Sequence, residues 1–338
     1  MPWKAIADPY LIWLSEIILQ QTRVEQGRPY FERFAAAYPT VRDLAAAPDD
    51  EVMKLWEGLG YYSRARNLLR AARTVANEYD GRFPDTYAGL LALPGVGPYT
   101  AAAIASFAFD RPTPVLDGNV FRILSRYADD ATPIDTGPGK QHYTRLVETA
   151  LGDASARRFN QAIMDFGALV CTPKRAACAT CPLAAGCAAL ANGTIYERPV
   201  KQKKGKKRTR YFHYLVLADG ERTVIEQRTA KDIWQDLYQF PLVEVTEAAT
   251  ETTDLATHPA WPEWLPAGEL TFRRRSPPLR QQLTHQTIVA VFHHFDWPAM
   301  PATGSAGTIV TNKTLATYAF PRLITKYLGE KTLLLNLF

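Results

Sequence analysis

The sequence predicts two domains of different fold class, an all-α domain followed by an α+β domain. Up to about residue 195, apolar side chains recur every three or four positions, in Ala-rich segments that begin at Asp, Thr or Pro. After residue 210, β-branched and aromatic segments alternate with turn residues. With 338 residues, 47% of them hydrophobic, the chain is long enough for about two globular domains. We expect an all-α domain over 1–195, a linker over 196–210 and an α+β domain over 211–338.

The elements follow from the period of the apolar positions. Helices are predicted over Ala7 to Gln26, Pro29 to Tyr38, Asp49 to Leu55, Ser63 to Glu78, Thr86 to Leu93, Tyr99 to Phe109, Asn119 to Tyr127, Gly139 to Leu151 and Ala156 to Val170. Strands are predicted over Tyr211 to Leu217, Thr223 to Arg228, Tyr238 to Val245 and Thr287 to Phe295. The second domain also contains a helical pattern near Trp261 to Leu265 and another over Pro321 to Tyr327.

The net charge of +5 comes from one short segment. Residues 201–210 hold seven Lys or Arg and no acid, so the rest of the chain carries a net charge of −2. Such a run is often a solvated linker and does not by itself predict a nucleic-acid-binding surface. No apolar run approaches the roughly 20 residues that cross a bilayer, and the first residues show no secretory pattern. We therefore expect a cytoplasmic protein without a membrane partner.

All the cysteines of the chain lie in one segment. They are Cys171, Cys178, Cys181 and Cys187. In a chain without a secretory signal, this clustering argues against disulfides and for a metal site. Four thiolates without a nearby histidine suit either a tetrahedral zinc ion or a [4Fe-4S] cluster, and the residues alone leave both open.

A glycine-rich turn, Leu93-Pro94-Gly95-Val96-Gly97-Pro98, joins two predicted helices. The two glycines allow a tight turn with free N–H groups, and a proline suits the first turn of the next helix. Exposed amides at a helix N-terminus attract a phosphate, so Gly95, Val96 and Gly97 are predicted to form a phosphate-binding helix-hairpin-helix. The alternative is an ordinary connection between two helices.

Two carboxylates stand in apolar surroundings. Glu16 shares one face of the first predicted helix with Gln20 and Arg23. It is either neutralised by Arg23, or burial raises its pKa so that it serves as a general acid at neutral pH. Asp117 directly precedes a predicted helix, where an Asp often serves only as the N-cap. A carboxylate pair also suits glycosidic bond cleavage, in which one group protonates the leaving group and the other stabilises the sugar cation.

With these motifs the chain resembles the iron-sulfur helix-hairpin-helix DNA glycosylases, and among them the MutY-type adenine DNA glycosylases. The matching segments lie in order along the first domain: Trp13 to Thr22, Gly58 to Leu68, Leu93 to Thr100, Leu116 to Val120, Met164 to Ala168 and the four-cysteine segment. In the second domain, Ile233 to Pro241 resembles the nudix-like domain of that family. The resemblance implies a helix-hairpin-helix glycosylase domain with a [4Fe-4S] cluster loop over 171–187, followed by a nudix-like lesion-recognition domain.

The same resemblance implies the activity. It is excision of adenine mispaired with 8-oxoguanine or guanine in duplex DNA, by base flipping and acid-assisted hydrolysis, in base excision repair. Glu16 would protonate N7 of adenine, and Asp117 would stabilise the sugar cation, with Tyr99 and Asn119 orienting the carboxylates and water. Tyr99 stands where bifunctional relatives carry a lysine nucleophile, so no Schiff-base lyase activity is expected.

DNA contacts are also implied. Gln21 and Tyr61 would wedge into the duplex with Gln20 alongside, while the glycine-rich turn and a cation near Arg64 or Arg66 would hold phosphate. Trp3 would pack against the flipped base.

The second domain would inspect the opposite strand. Its Leu283-Thr284-His285-Gln286 segment corresponds to a Phe-Ser-His type loop, so the resemblance assigns recognition of 8-oxoguanine to Thr284 and His285. Residues 211–338 lack the Arg-Glu and Glu-Glu pairs of a nudix hydrolase, so we expect no nucleotide hydrolysis.

Two other functions stay open. One is a non-catalytic, redox-responsive DNA-binding module built on the same cluster, against which the Glu16 and Asp117 pair argues. The other is a glycosylase that removes thymine or uracil opposite guanine, against which the nudix-like domain argues. We expect a monomer that acts on duplex DNA and is associated with the nucleoid through it.

Overall fold

The computed structural model describes residues 7–202, 207–246, 255–301 and 307–332, without the side chains of 330–332. Trp3 and part of the predicted linker lie outside the described residues. By their contacts the described residues form two compact units, one within Met1–Ala46 and Asn67–Lys204, the other within Ala47–Arg66 and Gly205–Phe338. The sequence does not predict that Ala47–Arg66 belongs with the second unit, and the division at 196–210 remains a prediction.

The part of the chain before residue 202 is helical, as predicted. Its α-helices are α1 (Pro9–Leu19), α2 (Val24–Ala37), α3 (Val41–Ala46), α4 (Asp49–Leu55), α5 (Ser63–Glu78), α6 (Tyr87–Leu91), α7 (Pro98–Phe109), α8 (Gly118–Tyr127), α9 (Gly137–Leu151), α10 (Ala156–Leu169) and α11 (Ala188–Ala191). The bounds of α4 and α5 are those predicted, whereas α3 and α11 were not predicted. No helix in the described ranges is long and apolar enough to span a membrane.

The first predicted helix, 7–26, is wrong, because the chain breaks it into α1 and α2. Asp8 caps α1 by accepting hydrogen bonds from the N–H groups of Tyr10 and Leu11. After Leu19 the chain turns, and Gln21 adopts a left-handed conformation with φ 55°. Arg23 becomes the N-cap of α2, so it does not share a helix face with Glu16. The break therefore removes the shared helix face on which the alternative of a Glu16 neutralised by Arg23 rested.

Small residues allow close packing in the first unit. The middle of α7, Ala101 to Ala105, is buried, and this helix packs against α1, α6 and α10. Trp13 and Leu14 of α1 have no exposed surface. Because α1 is apolar nearly all round and buried, any ionised group on it lies in a dry environment.

A mixed sheet forms the second unit, which confirms the α+β prediction. Its strands are β1 (Arg208–Ala218), β2 (Arg222–Gln227), β3 (Tyr238–Gln239), β4 (Leu242–Val245), β5 (Thr271–Arg275), β6 (Leu279–Gln282), β7 (Gln286–Asp296) and β8 (Thr308–Thr311), followed by helix α12 (Arg322–Thr332). β1 pairs in parallel with β7 along its whole length and antiparallel with β2 and β4.

Some predicted elements of this unit need correction. The single strand expected over Tyr238 to Val245 is interrupted, giving β3 and β4. The helix expected near Trp261 to Leu265 is wrong, because this segment forms turns in which Leu265 N–H donates to the Pro262 carbonyl. Prolines at 262 and 266 limit helix growth there.

The segment Ala47–Arg66 is bound within the second unit by hydrogen bonds near α12. Lys54 donates to the Tyr318 carbonyl at 3.0 Å, and the Tyr62 hydroxyl donates to the Phe320 carbonyl at 3.2 Å. Phe320 N–H donates to Glu57 at 2.9 Å. These bonds place the Gly58 to Ser63 loop beside the sheet of the same unit.

Candidate active site

Glu16 lies in the last two turns of the apolar helix α1. The residue keeps some exposed surface, but its carboxyl group is densely surrounded by protein. Burial raises the pKa of Glu16 to about 7; the negative charge of Asp117 adds to this rise, and a hydrogen bond from the Tyr99 hydroxyl opposes it. Glu16 is therefore a carboxyl group that can hold a proton at neutral pH.

Tyr99 connects the acid to the helix after the glycine-rich turn. It lies in the first turn of α7, and its hydroxyl donates a hydrogen bond to the Glu16 carboxyl. Burial raises the pKa of Tyr99 well above its usual value, with the negative charges of Glu16 and Asp117 adding to the effect. The phenol therefore stays protonated and serves as a donor.

Asp117 is the N-cap of α8, and its carboxylate is also near Glu16 and Tyr99. Its Oδ1 accepts from the N–H groups of Asn119 and Val120, both at 2.8 Å. Its Oδ2 accepts from the Asn119 side-chain amide at 2.8 Å. The capping interpretation and the proposed role near Glu16 are thus compatible, because the cap fixes the orientation of the carboxylate.

Asn119 is in turn held by residues of α8 and α10. Its Oδ1 accepts from Arg122 at 2.8 Å. A Cβ atom at Gly167 would lie 2.6 Å from the Asn119 Cβ, so only glycine leaves room for Asn119 there. Arg122 also donates to the carbonyls of Gly167 and Cys171, each at 2.7 Å. Sequence reasoning missed Arg122, although a buried arginine in an amphipathic helix is a signal for such a role.

The four cysteines form no disulfide with one another, and each residue is partly exposed. Arg126 donates to the Cys171 Sγ at 3.4 Å and to the Thr172 carbonyl at 2.8 Å. The pKa of Cys178 is raised by burial and by the charges of the other three thiols, which therefore share one neighbourhood. In the described ranges, no three His, Cys, Asp or Glu side chains converge tightly enough to hold a single metal ion. A set of four grouped thiolates fits a [4Fe-4S] cluster, whose irons are held by four cysteines.

The glycine-rich turn has the hairpin geometry predicted for it. Gly95 has φ 74°, and a Cβ there would lie 2.4 Å from the Asn67 Cβ, so a side chain is excluded on both grounds. Gly97 is the N-cap of α7, has open space around it and provides no side-chain cap. Val96 is buried. No side chain of the described residues caps the start of α7, whose first residue is Pro98, and the buried Val96 anchors the turn from within.

Both residues expected to wedge into DNA have strained backbones. Gln21 and Tyr61 are exposed non-glycine residues with φ of 55° and 49°. Gln20 donates from its amide to the Thr100 hydroxyl at 3.1 Å, which ties the end of α1 to α7. Strain of this kind is kept where a side chain must be aimed in a particular direction.

Arg64 lies behind Tyr61 rather than at the surface. Its guanidinium lies 5.0 Å from the Trp56 ring centroid and 5.5 Å from that of Tyr61, and it donates to the Gly60 carbonyl at 3.2 Å. Burial lowers its pKa to about 10. This geometry favours support of Tyr61, and a direct phosphate contact by Arg64 remains a prediction.

The second unit contains a cavity of about 580 Å³ beside Tyr61. It is lined by three segments, Gly58–Ser63, Asp232–Trp234 and Gln281–Gln286, together with Arg66 and Arg322. The Tyr61 hydroxyl and the Thr284 hydroxyl are hydrogen-bonded at 2.8 Å, and His285 lines the same cavity. The structure thus brings together three residues for which the sequence predicted DNA contacts.

Comparison with known proteins gives two family matches. Residues 14–137 match the HhH-GPD superfamily of base excision DNA repair proteins, and residues 213–330 match the NUDIX domain. The adenine DNA glycosylase of Buchnera aphidicola subsp. Schizaphis graminum is 37% identical over 241 residues, which are 71% of this chain and 70% of that protein. The mouse adenine DNA glycosylase is 44% identical over 199 residues, covering 56% of this chain and 38% of its own.

A solved structure of a thermostable thymine-DNA glycosylase is also similar. It is 31% identical, with a TM-score of 0.53, and the match covers 57% of this chain and 88% of that chain. The helical fold described above is therefore that of the helix-hairpin-helix glycosylases.

Proposed function

Because the chain belongs to the adenine DNA glycosylase family within the HhH-GPD superfamily, we propose that it excises adenine paired with 8-oxoguanine or guanine in duplex DNA. The observation that carries the proposal is the buried Glu16 carboxyl, with its pKa near neutrality and with Tyr99 and Asp117 beside it. An acid of this kind is matched to protonating a leaving base at neutral pH.

The chemistry assigns one task to each group. Adenine is flipped out of the duplex, because its glycosidic bond cannot be reached inside the stack. Glu16 gives its proton to N7 while the N9–C1′ bond breaks, and the bonding electron pair leaves with the neutral base. Asp117 stabilises the sugar cation, held by Asn119. Water then adds to C1′ and returns a proton to the carboxylates, leaving an abasic site.

The enzyme is proposed to be monofunctional. Tyr99 stands where a Schiff-base mechanism would need an amine, and its phenol is already engaged with Glu16. Strand cleavage at the abasic site is therefore expected only after treatment with alkali.

A [4Fe-4S] cluster is proposed at Cys171, Cys178, Cys181 and Cys187. When bound, it would hold the four cysteines of the loop together. Its role is proposed to be structural, since glycosidic hydrolysis transfers no electrons. The loop meets the site through Arg122, which bonds both the Cys171 carbonyl and Asn119. Loss of the cluster is thus expected to disturb the loop and its neighbours.

The proposed DNA contacts are divided between the two strands. Gln21 and Tyr61, with Gln20 beside the former, would fill the space of the flipped base, and the Gly95 to Gly97 turn would hold phosphate. Thr284 and His285 would inspect the base opposite adenine. The proposed form is a monomer acting on chromosomal DNA in the cytoplasm.

The test is base excision by the variant Glu16→Gln. Glutamine keeps the size of the side chain but cannot donate an acidic proton, so single-turnover release of adenine opposite 8-oxoguanine should fall by about 10²–10⁴-fold. Duplex affinity should stay unchanged. Strand breaks after alkali report the abasic sites.

The matched control is Glu25→Gln, at an exposed glutamate in the first turn of α2. It should excise adenine at the wild-type rate. Wild-type rates in Glu16→Gln would refute the assignment of the acid. Release of thymine opposite guanine, with no release of adenine, would support a mismatch thymine glycosylase instead.

A further inference from the structure

Gln281 carries a polar atom whose environment is not explained by the fold. It lies in β6, where Leu279 and Gln281 are partly buried while Arg280 and Gln282 are exposed. Its Oε1 is inaccessible to solvent and has no hydrogen-bond partner among the described residues. A buried acceptor without a donor destabilises the folded state unless another molecule supplies the donor.

The surroundings of Gln281 place it in a binding cavity. It lines the cavity of about 580 Å³ that also contains Tyr61, Thr284 and His285. All the residues that line this cavity belong to the second unit. The terminal torsion of a glutamine has a broad, roughly two-fold energy profile, so the amide oxygen and nitrogen can exchange places at little cost to suit a molecule in the cavity.

The chemistry of a carboxamide selects one kind of base edge. 8-Oxoguanine has an N7–H donor next to a C8=O acceptor, whereas guanine has an N7 acceptor and a C8–H group at these positions. A glutamine amide matches the oxidised edge with two hydrogen bonds, as amide side chains match adenine in other complexes. The match holds whichever way the amide is turned in the free protein, because the group can rotate by 180°.

On the basis of the proposed function, we propose that Gln281 is a specificity-determining residue that reads the N7–H and C8=O edge of 8-oxoguanine opposite adenine. Tyr61 and Thr284, whose hydroxyl groups are hydrogen-bonded to each other, line the same cavity. Gln281 would then act together with Thr284 and His285 in the preference for the oxidised over the normal base, while Glu16 serves in cleavage.

The test measures duplex binding by the full-length protein and the variant Gln281→Met, which keeps the length of the side chain and removes both hydrogen-bonding groups. The probes carry 2′-fluoro-2′-deoxyadenosine, which resists cleavage, opposite 8-oxoguanine, guanine or 8-bromoguanine. The last base has a bulky C8 substituent but no N7–H. The dissociation constant for the 8-oxoguanine duplex should rise about 10-fold, with the other two unchanged.

Two further variants separate recognition from folding. Gln281→Glu keeps an acceptor for N7–H, so it should retain most of the preference for 8-oxoguanine over guanine even if its charge weakens all binding. Gln227→Met, at an exposed glutamine of β2 that does not line the cavity, should match the wild type.

Equal weakening on all three duplexes by Gln281→Met, or no change on any of them, would overturn the inference. Adenine excision is measured in parallel on duplexes that carry ordinary deoxyadenosine in place of the 2′-fluoro analogue. If the wild type released no adenine, the proposed function would fail and the inference with it. If it did so and the 8-oxoguanine preference survived in Gln281→Met, the inference alone would fail.

Discussion

At the scale of single residues, Glu16 shows how opposing effects place a carboxyl pKa near neutrality. Burial in the wall of α1 favours the protonated form, while the hydrogen bond from Tyr99 favours the ionised form. The balance lies at about pH 7, so the acid is present below this pH and is lost as the pH rises through it. The rate of base release should therefore fall above neutral pH.

Removing the Tyr99 hydroxyl tests this balance. In Tyr99→Phe the ionised carboxylate loses a donor, so the pKa of Glu16 should rise and the falling limb of the rate against pH should move upward by about 1 pH unit. Single-turnover rates from pH 6 to 9 measure it. Tyr87→Phe, at a partly exposed tyrosine of α6, is the control. A limb that stays at its wild-type pH would contradict the role given to this hydrogen bond.

At the scale of elements, helix α8 depends on the same carboxylate as the chemistry. Asp117 caps α8 through two backbone N–H groups and also faces the buried acid. Substitution can separate the capping role of Asp117 from the role of its negative charge, because Asn caps a helix about as well as Asp, whereas Ala does not.

Asp117→Asn should therefore remain as stable as the wild type but lose most of its excision activity. Asp117→Ala should lose activity and also about 1 kcal/mol of the free energy of unfolding. Urea unfolding and single-turnover excision, measured on both variants, distinguish the two roles. Normal turnover by Asp117→Asn would show that the carboxylate acts only as a cap. Equal loss of stability in both variants would contradict the expectation that Asn replaces Asp as the cap.

Elements with a strong local signal could be predicted from the sequence. Helix α5 matches its predicted bounds, because its apolar positions repeat regularly between a polar start and a turn. The break after α1 could not be predicted, since Gln21 is neither Gly nor Pro, yet adopts a left-handed conformation. Strand β5, Thr271–Arg275, is mostly exposed and rich in arginine, so its sequence lacks the alternation of a half-buried strand.

The residues of the candidate site could be predicted from the sequence, but most of the contacts between them could not. Glu16, Asp117 and the cysteines stand in motifs that resemble a known family. The contacts between motifs were not predictable: the Tyr61 and Thr284 hydroxyls that bond each other are 223 residues apart in the sequence. Arg122 was missed because its importance lies in joining Asn119 of its own helix to two carbonyl groups of distant segments, those of Gly167 and Cys171.

At the scale of the whole molecule, charge is distributed unevenly along the chain. Seven Lys or Arg lie within residues 201–210, and the net charge is +5. If this run follows the DNA backbone, replacing Lys201, Lys203, Lys204, Lys206 and Lys207 with Gln should weaken binding to all duplexes alike. The slope of log affinity against log salt should become shallower by about 0.9 for each phosphate that the variant no longer neutralises, with the excision rate at saturation unchanged.

Binding titrations between 50 and 200 mM salt, a range in which phosphate contacts act strongly on affinity, provide the measurement. An unchanged slope would identify the run as a solvated linker. A change confined to the 8-oxoguanine duplex would also contradict the prediction, because phosphate contacts carry no sequence information.

The raised pKa of Glu16 has a consequence for the thermal stability of the protein as well as for its chemistry. A carboxyl that ionises near pH 4.5 in the unfolded chain and near 7 in the native state makes folding progressively less favourable between these pH values. The difference amounts to about 3 kcal/mol above neutral pH. Glu16→Gln should therefore melt at a higher temperature than the wild type at pH 8 and lose that advantage at pH 5. The group that supplies the proton therefore lowers the stability of the folded enzyme above neutral pH, and a variant without this group would be inactive but more resistant to heat.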